Sequence, residues 1–342
     1  MTQPKPPVSP CISQGPVIFS TRTRGGSWQL AVIPTIAAFF VGGLTAIQSR
    51  ANGSLADVLD SGLQAATISF CIGLLLTSII VMSSAKLRLG VTRLRTAIRG
   101  RQIGYWELFG GFFGALFVLS QSLSVPVIGV ALFSVALVSG QSASALIVDR
   151  LGLGPHGRQP VTLQRILAAL IGVSAVVVAV SGRLDSAEIP IWLVALCFVA
   201  GIGVSVQQAI NGRVRDVSGE PLVAAWLNFV VGASILILVF GVMVLVGTVA
   251  PRALPSGPLW LYFGGVVGVI FIATTSWVVG KVGVLRLSLL AISGQLVGSL
   301  VLDLVVNGYL DAPLILGVIL AFMAVIVNTI QPKKPDALTG LE

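Results

Sequence analysis

The stretch Ala46–Gly53, read Ala-Ile-Gln-Ser-Arg-Ala-Asn-Gly, returns at 205–212 as Ser-Val-Gln-Gln-Ala-Ile-Asn-Gly. Gln48 thereby matches Gln207, Asn52 matches Asn211, Gly53 matches Gly212 and Asp57 matches Asp216. At this offset the match runs from Gly42/Gly201 to Gly73/Gly232, with 11 identities in 32 positions. It resumes after a five-residue shift, and 106–149 matches 260–303 with 16 identities in 44 positions. One unit has been written twice. An internal repeat limits the possible folds more than any local propensity, because two like units must bury one another.

The chain has 342 residues, of which 55% are hydrophobic and only 10% charged. A soluble domain carries about 25% charged residues. Apolar runs of bilayer-spanning length recur along it. They are apolar all round, without the period-two alternation of a membrane barrel, so an all-α integral membrane protein is expected. Ten spans can be marked: 28–49, 63–84, 105–124, 127–148 and 162–182, then 190–210, 221–247, 259–279, 282–302 and 309–330. Ten spans put both termini on one side. Of the 21 lysines and arginines, 17 fall on that side, three (Arg50, Arg183 and Arg252) on the other, and Arg286 inside a span. Positive residues stay inside, so both termini are expected in the cytoplasm. The net charge of +9 therefore reads as membrane orientation and not as nucleic-acid binding.

Five spans per copy is an odd number, so the second copy enters the membrane from the opposite side. The expected architecture is ten transmembrane helices as two inverted five-helix repeats. Many secondary transporters are built this way, with substrate at the repeat interface. The expected parts are a disordered cytoplasmic tail at 1–27, a first repeat at 28–182, a second at 190–330 and a cytoplasmic tail at 331–342. The first 25 residues hold five prolines and no continuous apolar core, which does not read as a signal peptide. Between spans two and three, Val91, Leu94 and Ile98 fall at helical spacing among Arg93, Arg95, Arg99 and Arg101. A basic amphipathic helix on the inner leaflet and an ordinary positive loop both fit.

Amides at membrane depth are the candidate site. Gln48 with Asn52, and Gln207 with Asn211, each share one helix face. A buried amide is costly unless paired, so these should face the bundle or a water-filled path. Two readings stand: substrate contact, and for the Asn-Gly pairs a helix C-cap and turn. Gln141 and Gln295 follow Gly140 and Gly294 deep in spans four and nine, as helix glue or cavity lining. Gly110, Gly111 and Gly114 recur as Gly264, Gly265 and Gly268, a small-residue face for close helix packing. Arg286 can snorkel to the interface or meet an anionic group in a cavity. Glu107 and Arg286 lack counterparts, facing Leu261 and Leu132 in the other copy. Asp149 and Asp303 end spans four and nine and read as interfacial residues.

No metal-ligand cluster, catalytic motif or phosphate-cradling loop is written in the chain, and the single histidine, His156, stands between Pro155 and Gly157. No catalytic residue, cofactor or metal is expected. Cys11, Cys71 and Cys197 form no disulfide framework. The pattern Gln48-x3-Asn52-Gly53, Phe70-x2-Gly73, Trp106-x3-Gly110-Gly111-x2-Gly114 and Gly140-Gln141-x7-Asp149 resembles the YdcZ-type (DUF606) family of the drug/metabolite transporter superfamily. Short members carry one five-helix unit, and this chain looks like the fused form from about Gln29 to Ile330. The resemblance implies ten helices, both termini inside and transport across the bacterial inner membrane. Arg50, Glu107 and Arg286 depart from a strict repeat.

The expected function is therefore a secondary transporter moving a small metabolite or drug-like solute by alternating access. Its partners would be the solute and the bilayer, not nucleic acid. Neutral amides suit a neutral or zwitterionic polar solute better than a bare cation. The alternatives are a non-transporting membrane sensor or assembly partner, and an intramembrane enzyme acting on lipid. Paired polar residues at matched depths in both halves favour transport.

Overall fold

The computed structural model describes residues 27–151, 163–181, 190–282 and 284–329. The two expected tails, His156, and the side chains of Asp149 and Arg286 lie outside the described residues. Every described regular element is helical. In order they are α1 (Ser27–Leu59), α2 (Gly62–Ser83), α3 (Ala85–Arg99), α4 (Gly110–Leu151), α5 (Leu163–Ser181), α6 (Ile191–Ser218), α7 (Pro221–Leu245), α8 (Phe263–Val282), α9 (Val284–Asn307) and α10 (Ala312–Thr329). Short 3-10 turns at Tyr105–Leu108 and Leu259–Tyr262 precede α4 and α8. Five stretches are long and apolar enough to cross a membrane: Gly62–Ser83, Tyr105–Ser144, Ile191–Ser218, Pro221–Leu245 and Leu290–Asn307. Large apolar side chains such as Leu75, Met82, Leu238 and Val305 point outward, as a lipid-facing surface requires.

Two boundaries differ from the sequence reading. The Asn-Gly pairs do not end their helices: α1 runs past Asn52-Gly53 to Leu59, and α6 runs past Asn211-Gly212 to Ser218. Inside an apolar layer a dropped backbone hydrogen bond has no water to replace it, so helix continuity outweighs the local turn preference. The glycine that does end α6 is Gly219, in the left-handed region at φ 74°, with its N–H donating to the Arg215 carbonyl.

The expected spans three and four fall on the two halves of α4, which break at Gly129 (φ 79°, ψ 167°). That region is open to glycine and strained for other residues. Pro126 removes one helical donor just ahead of the break. The N–H groups of Val130 and Ala131, freed at the new helix start, donate to the two carboxylate oxygens of Asp303 at 3.0 and 2.9 Å. Asp303 is thus a buried cap inside the bundle, 4% exposed, and not an interfacial residue.

The packing is shared between the copies. In repeat terms α1 matches α6, α2 matches α7, the halves of α4 match α8 and α9, and α5 matches α10. The three most extensive contacts are α4 on α6, α1 on α9 and α5 on α10, and α2 also packs on α7. Exchanging the copies maps this pattern onto itself. Each copy buries its apolar surface chiefly against the other.

The α3 segment is the amphipathic helix. Leu87, Gly90, Leu94 and Ala97 are buried at spacings of three and four, while Arg88, Arg93, Arg95 and Arg99 are exposed. Its buried face packs on α6 and α7. Lys86 pairs with Glu220 at 2.8 Å in the turn between them.

Candidate functional site

The glycines bring the copies into contact. A β-carbon on Gly111 would overlap the Asn228 carbonyl and stand 2.7 Å from the Gly232 nitrogen. One on Gly265 would overlap the Ser69 carbonyl and stand 2.8 Å from the Gly73 nitrogen. Ser69 and Gly73 are the repeat counterparts of Asn228 and Gly232, so this is one contact made twice. Gly110 and Gly264 approach Asn211 and Asn52, and Gly114 and Gly268 approach Gln207 and Gln48. Gly140 and Gly294 lie against the Phe198 and Phe39 carbonyls, again a matched pair.

Between these contacts lies a cavity of about 220 Å³. Gln48 of α1, Gln141 of α4, Gln207 and Asn211 of α6, Asn228 of α7 and Gln295 of α9 line it. Gly114, Gly265 and Gly268 also reach its wall. No charged side chain is among the described lining residues. Phe70 and Phe229 are repeat counterparts and meet there, with ring centroids 5.3 Å apart and planes inclined at 57°. Each ring lies over a glycine of the other copy: Phe70 over Gly232, Phe229 over Gly73.

Asn52 is not part of the cavity wall. It is fully buried, and its Nδ2 donates to Gln121 Oε1 at 2.7 Å. Gln121 Nε2 donates to Ser49 Oγ at 2.9 Å, and the Ser49 hydroxyl donates to the Thr45 carbonyl at 2.9 Å. The second copy is wired differently. Gln207 Nε2 donates to Asn228 Oδ1 at 3.2 Å, and Asn228 Nδ2 donates to Asn211 Oδ1 at 2.6 Å. The side chains of Gln48, Gln141 and Gln295 hold no hydrogen bond within the described structure; the Gln295 Nε2 is enclosed and unpartnered.

Gln121 and Asn228 were absent from the sequence candidates. Their repeat counterparts are Thr275 and Ser69, so neither shows as an identity between the copies. A polar residue in both copies at an apolar depth was the available signal. Glu107 finds its partner in Arg213, at 3.0 Å, and also accepts the Gly104 N–H at 2.7 Å.

The two ends of the cavity are unequal. Beside Asn52, Ser49 and Asn52 are fully buried and Gln48 is 7% exposed. A β-carbon on Gly53 would stand 2.7 Å from Val125 Cγ1. At the other end Gln208 is exposed and Gln207 and Asn211 are partly so, while a β-carbon on Gly212 would meet none of the described residues within 4 Å. Among the described residues no three His, Cys, Asp or Glu side chains are placed to hold a metal ion.

A helical bundle of two like units around a cavity with no charge among its described lining residues is the build of a membrane carrier. The family profile described as "Putative inner membrane exporter, YdcZ" matches residues 33–178 and again 192–327. The chain belongs to this family, in its two-copy form, within the drug/metabolite transporter type. It is a multi-pass inner-membrane protein of an exporter family. No curated protein matches it. A solved chain described only as a protein crystal structure has a TM-score of 0.51 and 17% identity, covering 87% of this chain and 96% of its own. That likeness concerns the fold alone.

Proposed function

We propose that the chain is a ten-span secondary exporter, two inverted five-helix repeats with both termini in the cytoplasm, that moves a small solute by alternating access through the amide-lined cavity. The supporting observation is the inequality of equivalent residues: Asn52 is fully buried and Gly53 packed under Val125, while Asn211 is partly exposed, Gln208 is exposed and Gly212 meets no described residue. A carrier with two like halves must hold them in unlike conformations to open on one side at a time. The open end lies on the side of Arg213, Arg215 and α3, where the positive charge gathers, so the structure is the cytoplasm-open form. Gln48, Gln141, Gln207, Asn211 and Gln295 are the solute contacts of this reading. Arg286, in α9, would affect transport most if the solute were anionic. Asn52 holds the sealed end.

The test is accessibility. Gly212→Cys, in full-length protein lacking its other thiols, should react with a membrane-impermeant maleimide from the cytoplasmic side. A transported solute should change the rate. Labelling from the opposite side, or a rate that no solute alters, overturns the reading. Reporter fusions after Val91 and at the C-terminus should both report cytoplasm.

A further inference from the structure

We infer that the cavity takes an uncharged solute with a flat apolar body and one hydrogen-bonding pole of the carboxamide or ketone kind. The inference rests on the carrier reading above and names its substrate class. Three carboxamides line the cavity without a hydrogen bond to any described residue, and two of them, Gln48 and Gln295, are 7% and 6% exposed. The enclosed Gln295 Nε2 is a donor with no acceptor. A buried amide left unpaired is costly, so the occupant must offer an acceptor, and a carboxamide pole answers both a donor and an acceptor. Gln207 has already committed one N–H to Asn228 and keeps the other and an acceptor.

Charge is disfavoured by the same wall. An ion entering it would lose its hydration and find no counter-charge among the described lining residues. A zwitterion would carry that penalty at two poles, so it drops out of the class. The apolar body follows from Phe70 and Phe229, whose paired rings offer aromatic surface for a flat group to lie against. A volume of about 220 Å³ is below the about 300–1,000 Å³ of pockets for drug-sized ligands, which calls for a small molecule.

The experiment is a matched panel on the full-length protein in lipid nanodiscs: benzamide, benzylammonium, benzoate, phenylalanine, acetamide and toluene. Thermal unfolding reports binding and titration calorimetry gives affinity. Benzamide should raise the melting temperature with dose and bind at least about tenfold tighter than the charged members, the zwitterion, acetamide or toluene. Gln295→Leu and, independently, Gln48→Leu should each weaken benzamide by roughly tenfold, the loss of one good hydrogen bond. Either variant suffices if the other fails to fold. Benzylammonium, benzoate or phenylalanine binding as tightly as benzamide overturns the neutral class, and benzoate in first place would hand the site to Arg286. Unaltered benzamide affinity in the folded variants, or no binding by any member, overturns it as well. None of these results touches the carrier reading, which the Gly212→Cys labelling and the reporter fusions test separately.

Discussion

The cavity end beside Asn52 and the end beside Asn211 are made from matched residues and do opposite things. At the first, Asn52, Gln121 and Ser49 form a dry chain of hydrogen bonds, and Val125 closes over Gly53. At the second, Asn211 leans on Asn228 of its own copy, and no described residue covers Gly212. The sealed chain crosses between α1 and α4; the open one stays within α6 and α7. Sequence equivalence therefore sets which groups stand at each end but not which of them meet. Partner choice carries the asymmetry, and in a carrier it can reverse.

Four sets of substitutions would break or sharpen this contrast, the largest effect first. Gly111→Leu and Gly265→Leu act where the copies are alike. Both should lose most folded protein, since backbone lies where the new side chain must go, and overpacking of this kind costs about 1–3 kcal/mol or more. Folded yield in detergent and melting temperature measure it; normal values for both variants would remove the packing role.

Gln121→Leu should come next. It strips Asn52 of its only described partner at a fully buried site, at roughly 1–3 kcal/mol. Asn228→Leu deprives Asn211 and Gln207, but both are partly exposed, so water replaces the lost bonds and the destabilisation is smaller. Equal losses in thermal unfolding would mean the ends do not differ.

Gly53→Ala and Gly212→Ala should differ in sign. The first meets Val125 and destabilises. The second meets no described residue, and alanine in a helix gains about 0.5–1 kcal/mol over glycine. If Gly212 is covered in the alternate state, Gly212→Ala should also slow transport while raising the melting temperature. The smallest effect belongs to Arg252→Gln, whose 2.7 Å pair with Asp60 is exposed on both sides; no measurable change in melting temperature is expected.

Much of the site was legible because the copies repeat it. Gln48 and Gln207, Gln141 and Gln295, and the six glycines stand out as identities at matched depth, and the structure puts all four glutamines on one cavity. Gln121 and Asn228 were hidden because each copy carries its extra amide at a different position. The Asn-Gly pairs misled because their turn propensity is a property of water-exposed chain, and here the helix has no water to fall back on. Asp303 looked interfacial because its place near a span end is plain in sequence, while the helix start it caps, beyond Gly129, lies in the other copy.

By itself the sequence determined the repeat, the helical class, the apolar spans and the identities of the amides, because those follow from period, length and composition. Tertiary structure alone decided that α4 breaks at Gly129 under an Asp303 cap, that Asn52 turns to Gln121 while Asn211 turns to Asn228, and that one end is shut. The reason is physical. Hydrogen bonds and close contacts between residues far apart in the chain depend on which helices meet and at what tilt, and two matched copies can satisfy the same amides in two ways.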